Sequence, residues 1–316
     1  MNLVDFFDNC RFWDNKRNKF LNKIYFYSIV NWLVNFFANI VLYIYFLITR
    51  YNPKYSLVKD FDNQEERKII VSLTSFPPRL PKLWMVIECL FHQSVKPDRI
   101  ILYLTESQIK DINLLPKKLL EQRARGLEII LCPDAIRSHT KYYYAMKQNP
   151  KDIVITVDDD IFYRSDLIEI LLKHHKSYPN AIIANWGKVI SSKTTKYNEW
   201  VETREPRLYD NFLLFGVAGV LYPPKCLHED VFDIEGIKNL CLTADDVWLS
   251  CMALLKKTSI YYSAYKQGHL HVLIRNNITL FDVNGEKNQI CVDNLNNYYK
   301  EKMGICPFID LIGKDF

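Results

Sequence analysis

Between Lys68 and Asp158, four short apolar runs (IIVSL, RIILYL, LEIILC and DIVITV) alternate with stretches of helical apolar spacing. Strands that are apolar nearly throughout belong to a parallel sheet covered on both faces. Strand–helix alternation at this spacing means βαβ units and a doubly wound sheet. The intervening helices are read over KLWMVIECLFHQ, over PKKLLEQRARG with a stop at Gly126, and over HTKYYYAMKQN ahead of Pro150. The expected fold class is therefore α/β, a mostly parallel, Rossmann-like sheet flanked by helices. In such sheets ligands bind beyond the carboxyl ends of the strands. That rule points to the loop Thr74–Arg79 and to the acidic cluster Asp158–Asp160.

The run DIVITV leads straight into Asp158, Asp159 and Asp160. If the chain stays extended there, Asp158 and Asp160 face one way and Asp159 the other. Adjacent carboxylates repel unless a cation or hydrogen-bond donors offset them. Mn²⁺ or Mg²⁺ is held by one or two carboxylates plus substrate phosphate oxygens, so the cluster suits the clamping of a diphosphate. An acidic turn capping a helix that starts near Ser165 is the plainer alternative. A cap needs one acid, however, not three.

Further motifs follow in order. FGVAGVLYPP places Gly216 and Gly219 where a backbone must approach something closely, or where a strand simply stops at Pro-Pro. In LTADDVWLSCMALLKK, Thr243 and Asp246 have the spacing of a capping box before an amphipathic helix. QGHLHVLIRNN puts His269 and His271 on one face if it is a strand. Arg79, in the first loop, suits a phosphate, and Lys141, within SHTKYYY, suits a nucleotide; both residue types also serve as ordinary surface cations.

An apolar strand ending in Asp-x-Asp, with the VSLTSFPPRL loop before it and these motifs after it, resembles the GT-A glycosyltransferases. The match is to family 2-like enzymes of bacterial surface polysaccharide synthesis, and it covers roughly Lys68 to residue 275. The resemblance implies a GT-A fold and transfer of a sugar from a nucleotide-diphosphate donor, a UDP-sugar first, to a saccharide or lipid-linked glycan acceptor. It also implies inversion and a divalent cation, Mn²⁺ or Mg²⁺. By that match Asp158 and Asp160 hold the metal, with His271 as a third ligand or phosphate contact. Thr74, Ser75, Arg79, Lys141, Asp158 and Asp159 meet the donor, and Gly216 and Gly219 border the acceptor. Asp246 takes the acceptor's proton and Asp245 orients acceptor or base. Asp245 stands where the family has Glu, one methylene longer. Two other readings compete. An Asp-based phosphatase or phosphotransferase places Asp-x-Asp after an early strand and follows it with Thr or Val, whereas here Ile161 and Phe162 follow the fourth. A non-catalytic nucleotide-sugar binder would not need the whole series of acids.

No charged residue occurs from Ile24 to Thr49, a run long enough to cross a bilayer as a helix. Asn31, Asn35 and Asn39 form one polar stripe along it. Basic residues lie on both sides: Arg11, Lys16, Arg17, Lys19 and Lys23 before, and Arg50, Lys54 and Lys59 after. That balance gives no orientation. A helix in the membrane interface fits as well, and so does an amphipathic helix packed on the main domain. The expected organisation is a membrane-associated segment 1–49, a polar linker 50–66 and a catalytic domain 67–316, at the cytoplasmic face of the cell membrane. The aromatic content of 14% suits both a membrane-facing surface and a sugar cleft. Net charge is +5, without a basic stripe interleaved with aromatics in the main domain, so nucleic acid is not an expected partner. Cys10, Cys89, Cys132, Cys226, Cys241, Cys251, Cys291 and Cys306 form no C-x-x-C pair and read as reduced thiols, mostly buried, rather than a zinc site.

Overall fold

A computed structural model describes residues 2–12, 26–57, 67–265, 270–273 and 284–312. Its strands are β1 (Ile69–Thr74), β2 (Arg99–Thr105), β3 (Leu127–Cys132), β4 (Ile153–Thr156), β5 (Ile182–Ala184), β6 (Gly187–Val189), β7 (Val201–Glu202), β8 (Arg207–Tyr209), β9 (Phe212–Leu214), β10 (Val220–Tyr222) and β11 (Ile260–Tyr262). The helices are α1 (Leu3–Asn9), α2 (Phe26–Thr49), α3 (Leu80–Phe91), α4 (Lys117–Glu121), α5 (Thr140–Gln148), α6 (Leu167–Ser177), α7 (Ile234–Leu240), α8 (Asp245–Lys256), α9 (Asn284–Met303) and α10 (Pro307–Asp310).

The main sheet has eight strands in the order β3-β2-β1-β4-β10-β5-β11-β8. Strands β3, β2, β1 and β4 are mutually parallel, and β5 and β11 run the same way; β10 and β8 are reversed. This is the mostly parallel, helix-flanked α/β fold that the four apolar runs require. A small antiparallel sheet, β7-β6-β9, sits beside it. Because successive strand residues point to opposite faces, each apolar strand feeds two cores. Ile70, Ile101 and Val154 join a core with Tyr142 and Trp248, while Val71, Leu102 and Ile155 join one with Trp84 and Leu171. α5 and α8 therefore cover one face, and α3 and α6 the other. Each fully buried Leu, Ile or Val contributes about 1.5–3 kcal/mol over its exposed state.

Helix α2 packs on the α3 side. It buries Ala38, Leu42 and Phe46 and leaves the opposite face exposed. The asparagine stripe lies toward the protein: Asn39 is buried, and Asn31 exchanges hydrogen bonds with the Phe12 backbone. Residues 50–57, expected as linker, follow the domain surface. There the Leu57 N–H donates to the Arg125 carbonyl at 3.0 Å, and the Leu57 side chain covers Gly126. Residues 58–66 lie outside the described residues, as do Lys16, Arg17, Lys19 and Lys23. Among the eight cysteines all thiols are free, and six are buried.

Two imidazoles are sealed in these cores. His92 accepts the stack of Tyr55 at 3.6 Å, and His139 is held between the Tyr142 hydroxyl and the Cys241 carbonyl, both at 2.8 Å. Burial lowers each to about 4. In the unfolded chain a histidine titrates near 6.5. The folded value is the lower one, so the unfolded chain takes up the proton first. Their stabilisation is complete above about pH 6.5 and is lost as pH falls toward 4. At about 1.4 kcal/mol per unit, the loss reaches at most about 3.5 kcal/mol for each ring. Melting curves between pH 7.5 and 4.5 should show His92→Phe losing less stability on acidification than the parent. Equal slopes for the two proteins would show that His92 is not buried neutral.

Candidate active site

The site begins at the crevice between β1 and β4, where the strand order turns back on itself. β4 ends at Thr156, two residues before the acids, and the chain turns through Asp158–Asp160. The expectation that Asp158 and Asp160 share one face therefore does not hold. The period of two applies only while a chain is extended, and a turn spreads three repelling carboxylates over two cations. The Arg79 guanidinium grips Asp159 and also lies 3.0 Å from Asp160, while Lys141 Nζ takes Asp158 at 2.7 Å.

Lys141 is the hub. It sits in the first turn of α5, and the Ser72 hydroxyl of β1 donates to its carbonyl, fixing the helix start to the central strand. The side chain is buried at 4% exposure. Its ammonium contacts Asp245 at 3.0 Å as well as Asp158, so the acidic loop and the start of α8 share one cation. Burial works against that charge. The carboxylates of Asp158, Asp245 and Asp246 outweigh burial and hold the Lys141 ammonium well above its usual range.

Asp245 and Asp246 open α8. The capping box expected from Thr243 is not formed. Ala244 occupies the cap position, the Thr243 hydroxyl lies 4.0 Å from Cys291 Sγ, and Asp246 Oδ1 instead accepts the Gly216 N–H at 2.9 Å. The carboxylate reaches across to another loop rather than back onto its own helix. The two acids are driven apart. Burial opposes the charge on Asp245, but the Lys141 ammonium outweighs it and keeps Asp245 below the usual carboxylate range. Burial and then the charge of Asp245 push Asp246 well above that range, with Lys141 offsetting part of the effect. A pair of carboxylates separated in this way is the usual mark of divided acid and base roles. Burial likewise raises Asp159 to about 6, despite Arg79.

The glycine turn differs at its two ends. A Cβ on Gly216 would sit 3.0 Å from Asp246 Oδ1 and 3.1 Å from Lys141 Nζ, so this glycine lines the polar cluster. At Gly219, with φ +82°, a Cβ would sit 3.0 Å from the Leu167 side chain, so this glycine serves the backbone turn into β10. Gly216→Ala should cut turnover by about ten- to hundred-fold, because ångström-scale displacement of aligned groups costs that order of rate. Tm should stay within a few degrees of the parent. Unchanged turnover in a steady-state assay would remove the turn from the site.

The other expected residues fall unevenly. The Thr74 hydroxyl, at the end of β1, donates to the Tyr103 carbonyl of β2 at 2.9 Å. Ser75 is buried beside Asp159. His271 pairs with Ile161 in an isolated antiparallel bridge; its exposed ring lies within electrostatic reach of Arg79 and Asp158. His269 lies outside the described residues. Among the described residues no three His, Cys, Asp or Glu side chains converge as a metal cage, so Asp158, Asp160 and His271 do not form a ready three-ligand set. The protein's own cations take up the carboxylate charge. Asp158 and Asp160 nevertheless keep 29% and 24% of their side chains exposed, and Asp159 Oδ2 is buried without a partner. Two reachable carboxylates fit the donor chemistry of Mn²⁺ or Mg²⁺, whose remaining ligands are phosphate and water oxygens.

Sequence reasoning missed Tyr163. Its hydroxyl accepts the Asp158 N–H at 2.7 Å and donates to the Val217 carbonyl at 3.0 Å, tying the acidic loop to the glycine turn. A tyrosine in IFY after the acids looks like any core aromatic. His139 was missed as a support too: its ring, held by the Tyr142 hydroxyl and the Cys241 carbonyl, packs edge-on against Trp248 of α8, the helix that Asp245 and Asp246 open.

No protein family's sequence profile matches this chain, and no curated protein matches it. Among solved structures, the chain is similar to CMP:2-keto-3-deoxy-manno-octonic acid synthetase complexed with CTP. The identity is 15%, the overlap covers 63% of this chain and 89% of that one, and the TM-score is 0.38. It is also similar to the UDP-glucose pyrophosphorylase of Acinetobacter baumannii, at 11% identity over 76% of this chain and 95% of that one, with a TM-score of 0.37. Likenesses this slight say nothing about chemistry.

Proposed function

We propose that this protein is a glycosyltransferase that moves a sugar from a nucleotide-diphosphate donor, a UDP-sugar first, onto a saccharide or lipid-linked glycan. The supporting observation is the Lys141 ammonium, which joins Asp158 of the acidic loop to Asp245, beside Asp246, at the sheet's C-terminal crevice. In this reading the shared cation keeps donor-clamping and proton-accepting groups side by side, as the GT-A resemblance implies.

In this reading Arg79 and Lys141 face the donor's phosphates, Arg79 through a planar fork suited to paired oxygens. Asp158 and Asp160 would hold Mn²⁺ or Mg²⁺, which when bound offsets charge building on the leaving nucleoside diphosphate. Asp246 takes the proton of the acceptor hydroxyl. Its neighbour Asp245, kept ionised by Lys141, raises Asp246's proton affinity. Gly216 leaves room for the acceptor above Asp246. Attack from the face opposite the leaving group inverts the anomeric centre; the family resemblance supports this outcome.

Thermal shift with a panel of nucleotide sugars, each with and without Mn²⁺, tests the donor half. A cognate donor at a hundred times its Kd stabilises by about 2.7 kcal/mol. The shift should require the cation and should vanish in Asp160→Ala. A panel that moves no melting point, or an Asp160→Ala protein with the full shift, would overturn the assignment. Phosphate release from simple phosphoesters would favour the phosphatase reading instead.

A further inference from the structure

We infer that α2 docks the protein onto an anionic lipid bilayer as an in-plane helix, with the acidic loop held at the lipid surface. At 24 residues and without a charge, α2 is long enough to cross a membrane. Where the domain grips it decides otherwise. Asn39, midway along, donates to the His271 carbonyl at 2.9 Å and accepts the Leu273 N–H at 2.8 Å. Ala38, Leu42 and Phe46 are fully covered by the domain, and the Thr49 hydroxyl at the end meets His92 at 3.2 Å. The α/β domain thus lies alongside the helix from its midpoint to its C-terminus. A spanning helix has its midpoint at the centre of the hydrocarbon, and the charged domain would have to follow it there. Lipid-exposed loops and sheet edges do not occur at that depth, and each charge costs at least about 2.5 kcal/mol. Lying in the interface, α2 gives up only its outer face.

That face is built for lipid. Ile29, Trp32, Phe37, Ile40, Ile44 and Ile48 form one stripe, with Trp32 exposed at 61% and Ile48 at 73%. It runs for on the order of 30 Å at the helical rise, beyond the scattered apolar residues of an ordinary surface. Cations border it. Lys118 Nζ is 2.6 Å from the Tyr43 hydroxyl, Lys82 reaches the Leu273 carbonyl beside Asn39, and Lys54 follows the helix end, beyond Arg50, which pairs with Glu121 at 2.9 Å. Apolar residues bordered by lysine and arginine complement acyl chains and anionic headgroups. A second copy is a poor match, because a two-fold pairing sets equal patches together and brings their borders of like charge close.

The helix also bears on the site. The segment that Asn39 clamps is the one that holds the acidic loop: the Val272 N–H donates to the Asp160 carbonyl, and the Phe162 N–H to the Leu270 carbonyl, both at 2.8 Å. A single bridged segment separates the lipid-facing helix from Asp160. The inference stands apart from the reaction proposed above, since it concerns binding alone.

Flotation of the full chain tests it, with vesicles of phosphatidylcholine alone or with phosphatidylglycerol added. Binding should be at least ten-fold tighter to the anionic vesicles and should weaken with salt. Ile40→Ser with Ile44→Ser, both on the exposed face, should keep Tm and lower vesicle binding at least ten-fold. For orientation, fluorophores are attached at Ile29→Cys, Phe37→Cys and Ile48→Cys, each in a Cys10→Ser, Cys306→Ser background, and quenched by lipids brominated at shallow or deep positions. Equal, shallow depths at all three sites are expected. A Phe37 label at the bilayer centre, with the other two near opposite surfaces, would establish a spanning helix and overturn the inference. Failure to float would do so as well, and so would a dimer abolished by the double serine variant.

Discussion

Lys141→Gln should abolish turnover and destabilise the protein by about 3–5 kcal/mol, the usual result of removing one partner from a buried ion pair. The ammonium lies 2.7 Å from Asp158 and 3.0 Å from Asp245, with Asp246 adding to its field. Without it, the carboxylates of Asp158 in the acidic loop and Asp245 at the start of α8 face each other with no cation between them. At about 2–4 °C per kcal/mol for a domain of this size, Tm should fall by roughly 10 °C. The pH dependence has a definite sign. Asp245 loses the cation that holds its proton affinity down, so its folded value rises above the unfolded one. A group raised in this way contributes stability as pH falls, and the deficit relative to the parent should shrink on acidification. Melting curves over a pH series measure it. A variant melting within a degree or two of the parent would mean that the three acids are satisfied elsewhere.

Asp246→Asn should reduce transfer by about a thousand-fold while leaving fold and donor binding in place. General-base catalysis by a positioned group is worth roughly 10²–10⁴. An amide oxygen can still accept the Gly216 N–H that Asp246 Oδ1 takes at 2.9 Å. Burial already disfavours charge at this position, so a neutral isostere costs little stability. Steady-state turnover and donor-induced melting shifts, measured together, separate the possibilities. Normal turnover would remove Asp246 from the chemistry. Loss of the donor shift along with turnover would make it a structural support.

The sheet was legible because its strands are apolar on both sides. Ile70 and Val71, or Val154 and Ile155, read as one run since each neighbour has its own core to enter. The placement of the acidic loop at the crevice followed from the same pattern. What local pattern could not give was the direction of side chains beyond the strand end. Asp160 turned to Arg79, and Asp246 turned to Gly216 instead of closing a cap with Thr243, because partners distant in sequence offered better contacts. The asparagine stripe was readable as polar, but whether it faced protein, lipid or water depended on the segment around His271, some 230 residues away, which Asn39 clamps.

The reversed direction of β10 has one more consequence. Val220, its first residue, pairs with Thr156, the last of β4, so the chain arrives at the cleft rim before entering the sheet. A strand laid the other way would have delivered that turn to the far end. Between β5 and β10 the chain thus leaves the main sheet for the three-stranded one, touches the main sheet's far edge at β8, and comes back beside the cleft. Only the three-stranded part of that path can lengthen or shorten without disturbing the main sheet's strand order, because β8 is pinned to β11 at the opposite edge.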